Sequence, residues 1–238
     1  MIKYIGKCLL VVENSEKILV IGDLHLGFEE VLNQSGILVG RKMFEEILFE
    51  LSKIFEKVGK VNKIVLLGDV KHSFGKIVGQ EWKEILDLID YLNSKLNKNG
   101  ALIIIKGNHD KILGPVVAKR DLEIHDYFIF GKYCFLHGHR GFEEIYDRKV
   151  KSWILGHGHP AVKISEGIKI EKYKCFLEGE FNKMKVVLVP SFFEYNQGSD
   201  PRENDLGYGF NFNLEKFNVK IVSDELTVLD FGKLENLK

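Results

Sequence analysis

Cysteine, net charge and long apolar runs are all scarce in this chain. Only three of its 238 residues are cysteine (Cys8, Cys134 and Cys175). They are scattered, with no C-x-x-C pair and no even framework, which excludes a disulfide-stapled scaffold and reads as a protein of the reducing cytoplasm. Lys+Arg and Asp+Glu are both 34, so the formal charge is zero. No global positive field draws the chain onto nucleic acid or an anionic membrane, and any such contact must come from a local patch. The longest apolar runs, such as Ala101 to Ile105, are about a quarter of a membrane span. The apolar stretch near the N-terminus meets Glu13 and Glu16 at once, a poor signal peptide. No membrane association is expected. What the chain does have is a 45% hydrophobic content with 17 Phe, enough to build a full core. With no linker, repeat or low-complexity tract, residues 1–238 read as a single domain.

The first half alternates strands and helices. Ile5 to Val12 and Lys17 to Ile21 read as a hairpin joined by a polar turn. Met43 to Val58 carries Phe44, Ile47, Leu48, Leu51, Ile54, Phe55 and Val58 at helical spacing. A strand at Ile64 to Leu67 precedes a helix at Glu81 to Leu96, which presents Trp82, Ile85, Leu86, Ile89 and Leu92 and has Gly100 just past its end. A third strand spans Ala101 to Ile105. Such alternation builds a mostly parallel sheet covered by helices. After Gly107 strands dominate: Tyr127 to Phe130, Tyr133 to Leu136, Trp153 to Leu155, Lys174 to Phe181, Lys185 to Val189 and Lys220 to Phe231. An α/β chain of two sheets packed face to face is the expectation, with the polar stretch Asn196 to Asn204 as a loop.

The histidines show where the chemistry sits. Seven of the eight (His25, His72, His109, His137, His139, His157 and His159) fall at or just beyond the end of an apolar strand, and only His125 does not. The segments are ILVIGDLH, KIVLLGDVKH, ALIIIKGNHD, YCFLHGH and SWILGHGH. Ligands of open α/β sheets gather outside the carboxyl ends of the strands. Five ends offering nitrogen and oxygen donors therefore point to one shared site. Its donors are Asp23, His25, Asp69, Asn108, His137 or His139, His157 and His159. Mixed imidazole and carboxylate donors without a thiolate suit Mn, Fe, Zn or Ni. The set exceeds the needs of one ion and suits two that share a carboxylate. Paired ions of that kind clamp the attacking and leaving oxygens of an in-line displacement at phosphorus, with a bridging hydroxide as nucleophile.

Competing motifs fail. Gly68 to Lys76 is spaced wrongly for a phosphate loop and has Ile77 where Ser or Thr is needed. Gly207-Tyr208-Gly209 lacks the third glycine of a dinucleotide site, and no G-x-S-x-G is present.

In order, the D-x-H, G-D, G-N-H-D, H and G-H-x-H segments from Ile18 to Pro160 resemble the calcineurin-like metallophosphoesterase superfamily. The resemblance implies a four-layer α-β-β-α sandwich of two packed sheets. It implies a first metal on Asp23, His25 and His159, and a second on Asn108, His137 and His157, with Asp69 bridging. His139 is the competing choice for His137. It also implies that His109 protonates or stabilises the leaving oxygen, and that Asp110 fixes that imidazole by a hydrogen bond. Two divalent ions are expected, manganese favoured over Fe, Ni or Zn.

Within the superfamily, the segment Asp23-Leu24-His25-Leu26-Gly27 and His72, three residues past Asp69, resemble the SbcD-type branch, which includes small archaeal SbcD-related and ligase-associated DNA-repair phosphoesterases. In that branch the histidine at the place of His72 positions the DNA phosphate. The chain is too short for a nuclease's DNA-capping domain. The leading expectation is a phosphodiesterase, in its narrowest form a nuclease on single-stranded DNA or nucleotides. The alternatives are a phosphomonoesterase or nucleotide phosphatase on the same centre, and a metal-bound interaction scaffold without turnover.

Overall fold

The structure, a computed structural model, describes residues 1–75, 79–167 and 169–237. Lys76 and Ile77 of the rejected phosphate-loop reading lie outside the described residues. The first sheet contains β1 (Ile2–Ile5), β2 (Cys8–Glu13), β3 (Glu16–Ile21), β4 (Val61–Leu66), β5 (Leu96–Ile105) and β6 (Ile124–His125), in that spatial order. β1 to β3 are antiparallel, and β3 to β6 run parallel. The expected strand Ile5 to Val12 is broken at Gly6-Lys7, where Gly6 takes φ 53° and turns the chain back on itself. The β2–β3 turn needs only Asn14 and Ser15, at φ 50° and 64°, the left-handed pair of a tight hairpin.

Helices α1 (Phe28–Gln34), α2 (Met43–Val58), α3 (Gly79–Ser94) and α4 (Gly114–Val117) belong to this half. In α2, Met43, Ile47, Leu51, Ile54, Phe55 and Val58 are buried on one stripe, while Phe44 and Leu48 flank it. Each fully buried aliphatic side chain of this kind contributes about 1.5–3 kcal/mol. In α3 the stripe is Ile85, Leu88, Ile89 and Leu92, with Trp82 and Leu86 half-buried at its margin. α3 stops at Ser94, short of the expected Leu96. Leu96 instead pairs with Val61 and opens β5, so Gly100 lies inside a strand.

The second sheet contains β7 (Tyr127–Phe130), β8 (Tyr133–Leu136), β9 (Ser152–Leu155), β10 (Ala161–Glu166), β11 (Lys169–Phe181), β12 (Met184–Leu188), β13 (Asn218–Val222) and β14 (Val228–Lys233). β9 lies parallel between β8 and β12. The expected single strand Lys220 to Phe231 is an antiparallel pair, β13 and β14, reversed at Asp224–Leu226.

The inner faces of the two sheets share one core. Val11, Ile18, Val20 and Val65 meet Phe135, Ile154, Phe176 and Val187 across it. Leu19 and Ile21 point the other way, into the helices, so β3 is buried on both faces. That is why its sequence is a continuous apolar run rather than an alternation. Over the outer face of the second sheet lie Ile145, Leu206, Phe210, Phe217 and Leu234, carried on short 3-10 turns and loops. The two packed sheets are as expected, with the α-helices over the first sheet and 3-10 turns and loops over the second: the described α-helices all precede Ala118. No helix among the described residues is long and apolar enough to cross a membrane.

Candidate metal centre

β3, β4, β5, β8 and β9 each end in a loop that carries donors, and these loops meet. Asp23, two residues beyond β3, is fully buried, and its carboxylate accepts the His157 N–H at 3.0 and 3.1 Å. This bond ties the end of β3 to the end of β9 and orients the carboxylate. Asp69, beyond β4, accepts the backbone N–H of His109 at 2.9 Å, which ties β4 to β5. Two glycines make these approaches possible. A Cβ on Gly107 would lie 2.1 Å from Asp69 Oδ1, and one on Gly156 would lie 2.9 Å from Asp23 Oδ2.

Backbone strain concentrates on the donors. His25, Asp69, His157 and His159 have φ of 49°, 47°, 71° and 43°. For a non-glycine residue this region costs about 1–2 kcal/mol, and it persists where surrounding contacts enforce it.

Two trios have ligand atoms within 4.8 Å of one another: Asp23, His25 and His159, and Asp69, His137 and His157. Contacts join them. His159 Nε2 lies 3.4 Å from Asp23 Oδ1 and 3.3 Å from His25 Nε2. His137 Nε2 lies 3.4 Å from Asp69 Oδ2, and its Nδ1 lies 3.7 Å from Asp23 Oδ1. His25 Nε2 is 3.8 Å from Asp69 Oδ2, which places that carboxylate between the trios. A third cluster, His25, His72 and His109, borders the first trio. Asn108 joins the second, its Oδ1 3.0 Å from His137 Nε2. His139 stands further out, its ring 5.2 Å from that of His137 and 6.0 Å from that of His157.

The hydrogen-bonding pattern fits a cation. The outer nitrogen of His137, Nδ1, donates to the Leu67 carbonyl at 2.8 Å, and the outer nitrogen of His157, Nε2, donates to the Gly207 carbonyl at 2.9 Å. In the neutral rings this leaves His137 Nε2 and His157 Nδ1 as bare acceptors, 3.1 Å apart and facing each other. With Asp69 and Asn108 added, four lone-pair donors converge with no proton among them. A divalent ion would satisfy such a set, and the Leu67 and Gly207 carbonyls orient the rings as in ligating histidines. Without an ion a proton takes its place: burial opposes charge on His137, but Asp69 and Asp23 prevail and hold its pKa up at about 9. Burial, reinforced by His159, pushes His25 down to about 3. Burial, then His109, pushes His72 down to about 4. Burial, with His137, also lowers His157. His25, His72 and His157 are thus neutral at physiological pH with lone pairs available.

Asp110 is placed differently from its expected role. Its carboxylate does not hold the His109 ring; it accepts the N–H groups of Gly107 (2.9 Å), Val70 (3.1 Å) and Lys71 (3.3 Å). It is fully buried and staples the loop after β4 to the loop after β5. Burial first, then Asp69, raises its pKa to about 7. The His109 imidazole is held instead through Nδ1 by the His72 carbonyl, with Nε2 3.9 Å from Asp69 Oδ2. His125, read as off any strand end, closes β6, but it is exposed and outside the clusters.

Several site residues escape the motifs. Gly207, rejected above as part of a dinucleotide loop, supplies the carbonyl that orients His157. Glu81 accepts the N–H groups of His72 and Ser73 at 3.2 Å and fixes the His72 loop. Phe28 and Phe193 pack on the His72 and His25 rings, at 4.8 and 5.0 Å.

The sequence model for calcineurin-like phosphoesterases matches residues 16–222. The chain belongs to that family. Members are metal-dependent hydrolases of phosphate esters, consistent with the donor set of this centre. Among solved structures, the nuclease MPE of Pseudomonas putida shares the phosphoesterase fold with a TM-score of 0.61 at 15% identity, over 94% of this chain and 100% of that one. Vps29 of Entamoeba histolytica complexed with zinc aligns with a TM-score of 0.41 at 15% identity, over 90% of this chain and 99% of its own. Among curated proteins, none matches the chain.

Proposed function

We propose that this phosphoesterase hydrolyses phosphodiesters, with single-stranded nucleic acid or nucleotides as substrate, in the cytoplasm and within the SbcD-related branch. The observation that carries the reading is the pair of donor trios sharing the Asp69 carboxylate. In this reading Asp23, His25 and His159 hold one divalent cation, and Asn108, His137 and His157 hold the other. His137 is favoured over His139 because its Nε2 faces Asp69, Asn108 and His157. Manganese is the proposed metal, since neutral imidazole and carboxylate donors without thiolate suit it. Bound cations would supply the charge that draws in a phosphoryl group and lower the pKa of a water molecule.

The chain's own residues do the rest. The His72 carbonyl accepts a hydrogen bond from His109 Nδ1–H and so orients the ring, whose imidazolium form would give its Nε2 proton to the leaving oxygen. Asp110 acts at one remove, by holding the backbone on which Asp69 and His109 sit. Among the described residues, the rings of His72, Phe28 and Phe193 border the centre, which favours an ester bearing organic groups over a terminal dianionic phosphate. The deciding experiment compares bis-p-nitrophenyl phosphate, p-nitrophenyl phosphate and labelled single-stranded DNA with a series of metals. Expected is diester and single-strand cleavage above monoester turnover, abolished by chelator and restored best by Mn²⁺. Monoester preference would make the protein a phosphatase, and no turnover with metals bound would make it a scaffold.

A further inference from the structure

The loop beyond β4 carries an aromatic ring that the proposed chemistry does not use. Phe74 is 55% exposed, although one face of its ring lies over the His109 imidazole, with centroids 3.6 Å apart and planes inclined by 32°. The loop leading to it is anchored, because Glu81 holds the N–H groups of His72 and Ser73. The ring is thus presented beside the metal ligands with its second face to water. A single exposed ring needs no cover by itself, but a ring held against the His109 imidazole leaves a surface on which another aromatic ring can stack.

Position and charge narrow what that ring is. His109 is the group placed to protonate the leaving oxygen, so a substituent stacked on Phe74 hangs from that oxygen. The chain has no net charge with which to grip a duplex backbone, and a duplex hides its base faces in its own stack. We infer that Phe74 seats an unpaired nucleobase on the leaving side of the scissile linkage. The inference rests on the phosphodiesterase reading above and makes Phe74 a specificity-determining residue rather than a catalytic one.

The test uses full-length, metal-loaded protein and single-stranded oligonucleotides in which one nucleoside beside the scissile linkage is replaced by a tetrahydrofuran abasic spacer, on one side or the other. Base stacking on an aromatic residue changes affinities by about 5- to 150-fold. Wild type is expected to cleave the intact linkage about 10-fold or more faster than the linkage whose leaving side is abasic. In Phe74→Ala that ratio should collapse toward one, and Phe74→Trp should restore it. A merely structural Phe74, acting as a wall for His109, would instead slow both linkages by one factor, and that result overturns the inference. So does a wild type that cleaves both linkages alike, which leaves the phosphodiesterase reading intact. A wild type that holds its metals and cleaves neither removes that reading and the base seat with it.

Discussion

Asp110 allows the sharpest separation of two structural roles. Its carboxylate accepts three backbone N–H groups, from Gly107, Val70 and Lys71, in a fully buried position. A buried donor left without an acceptor costs about 1–3 kcal/mol. Asp110→Ala strands all three, and with partial relaxation the expected loss is about 4 kcal/mol, a large share of the roughly 5–15 kcal/mol that stabilises a folded domain. Asp110→Asn can keep the bonds to Val70 and Lys71 through its single carbonyl oxygen while its amide NH₂ opposes the Gly107 N–H. One bond is then lost, and about 2 kcal/mol is expected. Urea unfolding of metal-free protein measures both variants, and metal content after dialysis should fall in parallel because the two joined loops carry Asp69 and Asn108. The staple is refuted if Asp110→Asn unfolds within about 0.5 kcal/mol of wild type, the ordinary range of a surface change. Loss of one limb of the pH–rate profile in such a stable variant would return Asp110 to the role of holding the imidazole.

Three further outcomes follow from the same geometry. Asp69→Asn removes the charge that lies between the trios, so bound metal per chain, by elemental analysis, and activity should fall together; two metals with near-normal turnover would show that Asp69 is no bridge. His109→Gln should keep its metals while turnover drops about 10²–10⁴-fold, the range of a positioned proton donor, whereas metal loss would make His109 a ligand. For metal-free protein, the pKa of His137 is raised to about 9, so the stability it contributes is fully present below the unfolded value near 6.5 and is lost as pH rises through about 9. The metal-free chain should weaken by about 3 kcal/mol across that window, at 1.36 kcal/mol per pH unit, and the metal-loaded chain should not; equal slopes in thermal or urea unfolding of the two forms would count against an ion on His137.

The strand ends were legible because of burial on both faces. Ile18 to Ile21, Ile64 to Leu67 and Ala101 to Ile105 are parallel strands between two apolar layers, so each is an unbroken apolar run that stops where its donors begin. Local turn chemistry was less informative. The reversal between β13 and β14 places Glu225 and Leu226 at φ 55° and 63°, where a sequence reading looks for Gly or Asn. Tertiary contact enforces it: the Leu226 carbonyl accepts the Gly6 N–H at 3.0 Å, and the Leu226 side chain packs on the helical core. Leu96 behaves likewise, satisfying the helical period of α3 while the edge of β4 claims it as a strand residue. The partners of Asp110 were illegible for a related reason. A motif places a carboxylate next to a histidine in sequence, but three N–H groups from two loops compete for it, and that competition exists only once β4 and β5 are paired.

Substrate recognition and stability meet in the same charge. The centre buries two carboxylates, Asp23 and Asp69, against His137, whose pKa their field raises to about 9. Lys71, fully buried close by, gives its ammonium to the Ser73 carbonyl, and the chain as a whole is neutral. In the proposed reading, a phosphodiester anion approaching the metal-free site would meet negative and lone-pair groups, so its attraction would come from bound cations. Cations held by this site would satisfy His137 Nε2 and His157 Nδ1, which face each other at 3.1 Å, and would add contacts at the left-handed turns of His25, Asp69, His157 and His159. In the proposed reading, a chain without net charge would bind an anion at one point of its surface, because the cations that draw it in would be held by Asp23, Asp69 and the histidines of that site.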